Sequence, residues 1–203
     1  EQIPAPSPTT VVITGASGGL GAALARRYAN SGANLGLSAR RTTELERLAR
    51  ELAGKCAVHA ADVRDSATMR LVANDFMAQH GLPDIVIANA GISVGTLTEL
   101  AEDEQAFRDV FDINVIGMVN TFQPYVAAMR KRGYGVLVGI ASVAGCRGLP
   151  GSSAYSASKA AAISYLESLR VELRGSGITV ITICPGYITT AMTAHNPYRM
   201  RFI

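Results

Sequence analysis

The feature that most narrows the fold is a rhythm. Short apolar, β-branched runs alternate with longer stretches of helical period along nearly the whole chain. Strands are expected at 11–14, 34–38, 57–61, 85–88, 136–140 and 178–183, and helices at 20–30, 43–52, 66–79, 104–130 and 154–174. Strands that are apolar throughout, each followed by a helix, belong to a parallel sheet covered on both faces. Crossovers between parallel strands are right-handed, so the chain is expected to wind as a doubly wound α/β sheet of order 3-2-1-4-5-6. Ligands of such sheets bind beyond the carboxyl ends of the strands, which is where chemistry is to be sought.

The first strand, Val11-Val12-Ile13-Thr14, runs directly into Gly15-Ala16-Ser17-Gly18-Gly19-Leu20-Gly21. Glycines allow a tight turn and let backbone N–H groups approach a pyrophosphate at a helix N-terminus. The spacing is G-x-x-x-G-x-G rather than G-x-G-x-x-G, but its position between a strand and a helix is the one that mechanism requires. An ordinary strand-to-helix turn is the plainer alternative. The end of the second strand then bears on which nucleotide. An NAD site places an acid there for the ribose 2′-hydroxyl, whereas this chain has Ser38-Ala39-Arg40-Arg41, and the first acid afterwards is Glu44. A guanidinium there binds a 2′-phosphate by charge-assisted hydrogen bonds. The expected cofactor is therefore NADP(H), with Arg40 the leading contact, Arg41 beside it and Ser17 a helper; the alternative is two solvated surface charges. Asp62 and Val63 follow the third strand, and Asp62 either accepts from an adenine amino group or caps the next segment.

Composition excludes several other classes. Among 203 residues the net charge is +3 with no long block of like charges, so no nucleic-acid surface is expected. No apolar run approaches the roughly 20 residues that span a bilayer, and no signal peptide is visible at Glu1-Gln2-Ile3-Pro4. Cys56, Cys146 and Cys184 are odd in number and widely spaced, which reads as reduced thiols in a cytoplasmic protein. His59, His80 and His195 share no ligand spacing with them, and no metal site is expected.

Tyr155 and Lys159 stand one helical turn apart and share a helix face. A nearby ammonium favours the phenolate and lowers the pKa of a tyrosine. Ser142 ends the fifth strand, on the side where chemistry belongs. Together with the Thr-Gly-x-x-x-Gly-x-Gly turn, Asn89-Ala90-Gly91, Asn114 and Pro185-Gly186, these residues resemble the short, single-domain branch of the short-chain dehydrogenase/reductase superfamily, from about Val11 to Thr190.

That resemblance implies a Rossmann-like fold, a nicotinamide cofactor, a small carbonyl or alcohol as substrate, and a catalytic set of Ser142, Tyr155, Lys159 and Asn114. Tyr155 would exchange a proton with the substrate oxygen as hydride moves at carbon. Ser142 would hydrogen-bond that oxygen, and Lys159 would lower the pKa of Tyr155 and hold the nicotinamide ribose. Asn114, in the long helix at 104–130, would support a water linking Lys159 to solvent. Asn89, with Ala90 and Gly91, would brace the fourth strand and the adenosine side of the pocket. Pro185-Gly186, Ile188 and Thr189 would lie at the nicotinamide amide. Ile92, Ser93, Leu149 and Tyr187 would stand near the reacting carbon, a mainly apolar set.

The implied organisation is a single NADP-binding Rossmann-like domain over 1–203, with a Pro-rich tail at 1–8. Relatives continue with a substrate-covering loop, a further helix and a seventh strand, so a longer protein is expected, its seventh strand missing from this chain. The Ala157, Ala160, Ala161 and Ala162 flank and the family habit imply a homodimer or homotetramer. Two other functions compete with carbonyl reduction. A 3-oxoacyl-thioester reductase shares the catalytic set and would use Arg147 or Arg199 toward an acyl carrier. A non-catalytic nucleotide sensor should have lost one of the four catalytic residues, and none is lost.

Overall fold

The computed structural model describes residues 9–52 and 56–190; the tail expected at 1–8, and the segment from 191 onward with Arg199, lie outside the described residues. Six parallel strands form one sheet, β1 (Thr10–Thr14), β2 (Asn34–Ala39), β3 (Cys56–Ala60), β4 (Ile85–Ala88), β5 (Gly135–Ile140) and β6 (Ile178–Ile183), in the order β3-β2-β1-β4-β5-β6. This is the Rossmann-like order expected from the alternation.

The pleat of β1 divides the core. Val11 and Ile13 face one side, where they pack with Leu35 and Leu37 of β2, Ala22 and Ala25 of α1 (Gly19–Asn30), and Leu45 and Leu48 of α2 (Thr42–Glu51). Val12 faces the other side. There it joins Val86, Leu137 and Phe76 of α3 (Ser66–His80), with Phe122 and Tyr125 from α5 (Gly117–Arg132) and Leu166 from α6 (Ser153–Glu172). Side chains of this size stabilise the fold by about 1.5–3 kcal/mol each when fully buried. Gly36 is a strand residue that permits one of these contacts. A Cβ there would lie 2.7 Å from the ring of Phe76, so α3 seats against the sheet only because β2 has no side chain at that point.

The segment expected as one helix at 104–130 is more articulated. α4 (Glu104–Phe111) leads into a π-helical turn at Asp112–Ile116, and α5 continues to Arg132. Two contacts lie at the wider turn. Gly117 lets Val63 pack against the helix backbone, where a Cβ would come within 3.0 Å of Val63 Cβ. Asn114 is buried with its side chain bonded to other segments, which turns it away from the helix face that a regular period would give it. The other boundaries lie within about two residues of those expected, the ordinary scatter of helix and strand ends.

Candidate active site

The carboxyl ends of β1, β2, β4, β5 and β6 open onto one cleft of about 500 Å³. Its glycine-rich wall is shaped by close approach. Gly15 sits at φ +67 and Gly19 at φ +53, the left-handed region that glycine enters without cost. A Cβ on Gly21 would strike the Gly15 carbonyl and come within 2.6 Å of Asn89 Nδ2. Asn89 ties the turn to β4, because its Nδ2 donates to Thr14 O at 3.0 Å and to Gly15 O at 3.2 Å. Thr14 Oγ1 accepts in turn from the N–H groups of Asn89 and Ala90. α1 starts at Gly19 after Gly18 with no side chain capping its N-terminus, so its first amides face the cleft with the positive end of the helix dipole.

At the β2 end, Arg40 and Arg41 both line the cleft and both are exposed. Arg41 rather than Arg40 is the one held by Ser17, whose Oγ accepts from its Nε at 3.3 Å and its Nη2 at 3.2 Å. Asp62 also lines the cleft, and Arg64 grips it: Arg64 Nη2 donates at 2.7 Å and Nε at 3.0 Å to Asp62 Oδ2, and Arg64 N–H donates to Oδ1 at 3.0 Å. These bonds hold the Asp62 carboxyl below its ordinary pKa. The cap of helix α3 is Asp65, whose Oδ1 accepts from the N–H groups of Ala67 and Thr68, while Asp62 caps only the short turn before it, through the Arg64 N–H. Val63 is fixed through its carbonyl, which accepts from Asn120 Nδ2 at 2.8 Å.

The other end of the cleft gathers Ser142, Tyr155 and Lys159. Lys159 is 4% exposed, and its Nζ donates to Ile140 O at 2.7 Å and lies 5.8 Å from the centre of the Tyr155 ring. Burial brings its pKa down to about 8. Burial raises the Tyr155 phenol, contact with the Ser142 hydroxyl pulls it part of the way back, and Tyr187 pushes it up further. Ser142 is extended at φ −169, and its Oγ accepts from Ala144 N–H at 3.1 Å. Asn114 stands behind this group. It accepts from Ile92 N–H at 2.9 Å and donates to Ile92 O and to Ser158 Oγ, both at 3.0 Å. Gly91 makes room there, since a Cβ on it would lie 3.1 Å from Asn114 Oδ1 and 3.6 Å from Lys159 Nζ.

Most residues singled out in the sequence meet in this one cleft. Gly15, Ser17, Gly18, Gly19 and Leu20 form one wall, and Asn89, Ala90, Gly91 and Ile92 another. Pro185, Gly186 and Ile188 close it from the β6 side. Gly21 and Asn114 support the cleft from behind, and at the end of the described residues it is Thr190, rather than Thr189, that lines it. Ser93, Leu149 and Tyr187 are not on its surface. Sequence reasoning missed Arg64, for which no motif speaks, and Ile140, whose carbonyl anchors Lys159. Among the described residues no set of three or more His, Cys, Asp or Glu gathers as a metal site, all three cysteines are free thiols, and no helix is long and apolar enough to cross a membrane.

The family model for short chain dehydrogenases matches residues 9–200. The chain belongs to that family. It is therefore an oxidoreductase of a family that binds nicotinamide cofactors and acts on small molecules. It is similar to oxidoreductase UcpA of Salmonella typhimurium, at 40% identity over 90% of this chain and 70% of that one. Among solved structures it is similar to an alcohol dehydrogenase of Thermococcus sibiricus complexed with 5-hydroxy-NADP, with TM-score 0.86 and 27% identity over 96% of this chain and 83% of that one. It is equally similar to a short chain dehydrogenase/reductase of Burkholderia phymatum in complex with NAD, with TM-score 0.86 and 28% identity over 92% and 68% of the two chains. Structural neighbours thus include holders of both nucleotides, and the choice between them must be argued from this chain's own residues.

Proposed function

We propose that the chain is an NADP(H)-dependent oxidoreductase that interconverts a carbonyl and a secondary alcohol, with Tyr155 as general acid and base. The observation that carries the reading is the layout of the cleft. A phenol, a hydroxyl and a buried ammonium sit at one end, two arginines at the other, and an uncapped helix N-terminus between them. That span and those donors fit a phosphorylated dinucleotide. The amides of Gly18, Gly19 and Leu20 would hold the pyrophosphate, in the turn shaped by Gly15 and Gly21. Arg41, steadied by Ser17, and Arg40 would hold the 2′-phosphate. Asp62 and Val63 would meet the adenine, and Asn89, Ala90 and Gly91 the adenosine side. Lys159, Pro185, Gly186 and Ile188 would surround the nicotinamide end. When bound, the nicotinamide supplies or accepts the hydride.

The chain's own residues handle the proton. In reduction, Tyr155 Oη gives its proton to the carbonyl oxygen, and Ser142 hydrogen-bonds the same oxygen as charge grows on it. Burial keeps the phenol protonated at neutral pH and ready to act as an acid. The phenolate left behind is favoured by the Lys159 ammonium, whose interaction is strengthened by the scarcity of water around it. Asn114 keeps Ile92 and the catalytic helix in register around this group. The same reading takes residues 1–203 as one domain of a cytoplasmic homo-oligomer.

The test is a titration of the protein with NADPH and NADH, followed by turnover of a panel of carbonyls. NADPH is expected to bind more tightly and to be oxidised, and Tyr155→Phe to lose about 10²–10⁴ in kcat while still binding nucleotide. A folded protein that binds neither nucleotide overturns the reading.

A further inference from the structure

The helix that carries Tyr155 and Lys159 has no cap of its own. Ser152 occupies the N-cap position of α6, but its side chain bonds no amide of the first turn, and that turn contains no acidic residue. Helix N-termini of this kind leave amides without partners unless another group supplies them.

The group that does so comes from the loop after β4. Thr96 Oγ1 accepts from Ala154 N–H at 3.1 Å, the bond that an N-cap hydroxyl ordinarily makes to the second residue of its own helix. The remaining hydrogen bonds close into a ring. Ser153 Oγ donates to Thr96 O at 3.4 Å, which leaves the 2.9 Å contact between the two hydroxyls to be donated by Thr96. Thr96 N–H donates to Gly151 O at 3.1 Å, and Thr96 pairs with Ser152 in an isolated parallel bridge. Thr96 is 3% exposed, so water cannot readily replace these partners. Its own loop is anchored at Ile92 by Asn114, which also bonds α6 at Ser158.

We propose that Thr96 is a positioning residue for the reaction, a cap supplied from a distant segment that holds the first turn of α6 and so fixes the Tyr155 phenol against Ser142. Tyr155 is the residue directly after the capped amide, so fraying of that turn displaces the acid itself. Thr96 does not line the cleft, and its loss spares the nucleotide. The inference rests on the reading of Tyr155 as acid and base.

The experiment compares Thr96→Val and Thr96→Ser with the wild type. Thr96→Val keeps the shape and removes the oxygen; Thr96→Ser keeps the oxygen. For Thr96→Val we expect kcat for carbonyl reduction to fall about 10- to 100-fold, since displacements near 1 Å carry losses of that order. The KM for the carbonyl and the Kd for NADPH should stay within about twofold, because no substrate or cofactor contact is lost. The amides of residues 153–156 should exchange hydrogen faster than in the wild type. Thr96→Ser should restore both kcat and exchange protection. Unchanged kcat and exchange in Thr96→Val overturn the proposal, as does an equal loss in Thr96→Ser. Should Thr96→Val not fold, Thr96→Ala carries the same comparison against Thr96→Ser. A wild type that reduces no carbonyl refutes the functional reading alone, and the exchange measurement still decides whether Thr96 caps the helix.

Discussion

Lys159 carries its ammonium into the cleft from a buried position on α6. It is 4% exposed, and burial lowers its pKa from the ordinary 10.5 to about 8. At about 1.4 kcal/mol for each tenfold change in proton affinity, holding the charged form in the fold costs on the order of 3 kcal/mol. The unfolded chain keeps this lysine protonated up to its ordinary pKa, while the folded protein releases the proton near 8. Between those values the unfolded state binds more protons, so this residue makes stability rise with pH there, and below 8 the full penalty applies. Lys159→Met removes the charge and keeps an unbranched apolar chain. It also gives up the bond to Ile140 O, which offsets part of the gain. Taking the two pKa values at face, the stability of the variant relative to the wild type should shrink by about 1.4 kcal/mol between pH 6 and pH 9. Urea unfolding of both nucleotide-free proteins at matched pH reads this directly, as a shift in midpoint at constant slope. A stability difference that is flat across that range, or that grows with pH, refutes the claim that Lys159 is charged and desolvated in the folded protein. The variant is expected to be inactive even where it is the more stable of the two.

Two further predictions follow from the same cleft. Arg41→Ala removes the guanidinium held by Ser17 and should weaken NADPH binding about 10- to 150-fold, the value of one charge-assisted bond, with NADH binding unchanged; equal losses for both nucleotides in a fluorescence titration would show that Arg41 does not distinguish them. For carbonyl reduction, kcat/KM should be level at neutral pH and decline as pH rises through about 8, where Lys159 loses its charge while the raised phenol of Tyr155 remains protonated. A plateau extending to pH 10 would separate the rate from the charge on Lys159.

What the sequence disclosed and what it hid divide along a physical line. The strand order and the glycine turn were legible because they rest on local rules: strands apolar throughout, such as the fully buried β1, that need cover on both faces, and glycine where the backbone turns left-handed. The Ser142, Tyr155 and Lys159 group was legible because helical spacing and strand ends fix it. The π turn at Asp112–Ile116 was not, since the apolar period of 104–130 reads as one helix and the contacts made at the departure are with Val63 and Ile92, which lie far off in sequence. Arg64 was invisible for a related reason. An arginine two residues after Asp62 has no motif, and only the turn of the chain brings its guanidinium back onto that carboxylate. Which of Arg40 and Arg41 reaches Ser17 is likewise a matter of side-chain direction that adjacent positions do not reveal.

The side chains that brace the cleft from behind share one physical role. Where the strands end, the ladder of the sheet no longer satisfies backbone N–H and C=O groups, and each such group needs another partner if it is not to be left unpaired. At this cleft the partners are side chains that reach between segments. Asn89 bonds the carbonyls of Thr14 and Gly15, Asn114 bonds both the N–H and the C=O of Ile92, Asn120 bonds the carbonyl of Val63, and Thr96 bonds the amide of Ala154. Each of these bonds ties two segments together by way of main-chain atoms, which do not depend on the identity of the side chain at the bonded position unless that residue is a proline. The cleft end of the fold is thereby held to a set geometry. A loss at one of these four positions should consequently register first in kcat or nucleotide affinity, and only afterward in the stability of a core that lies on the faces of the sheet rather than at its ends.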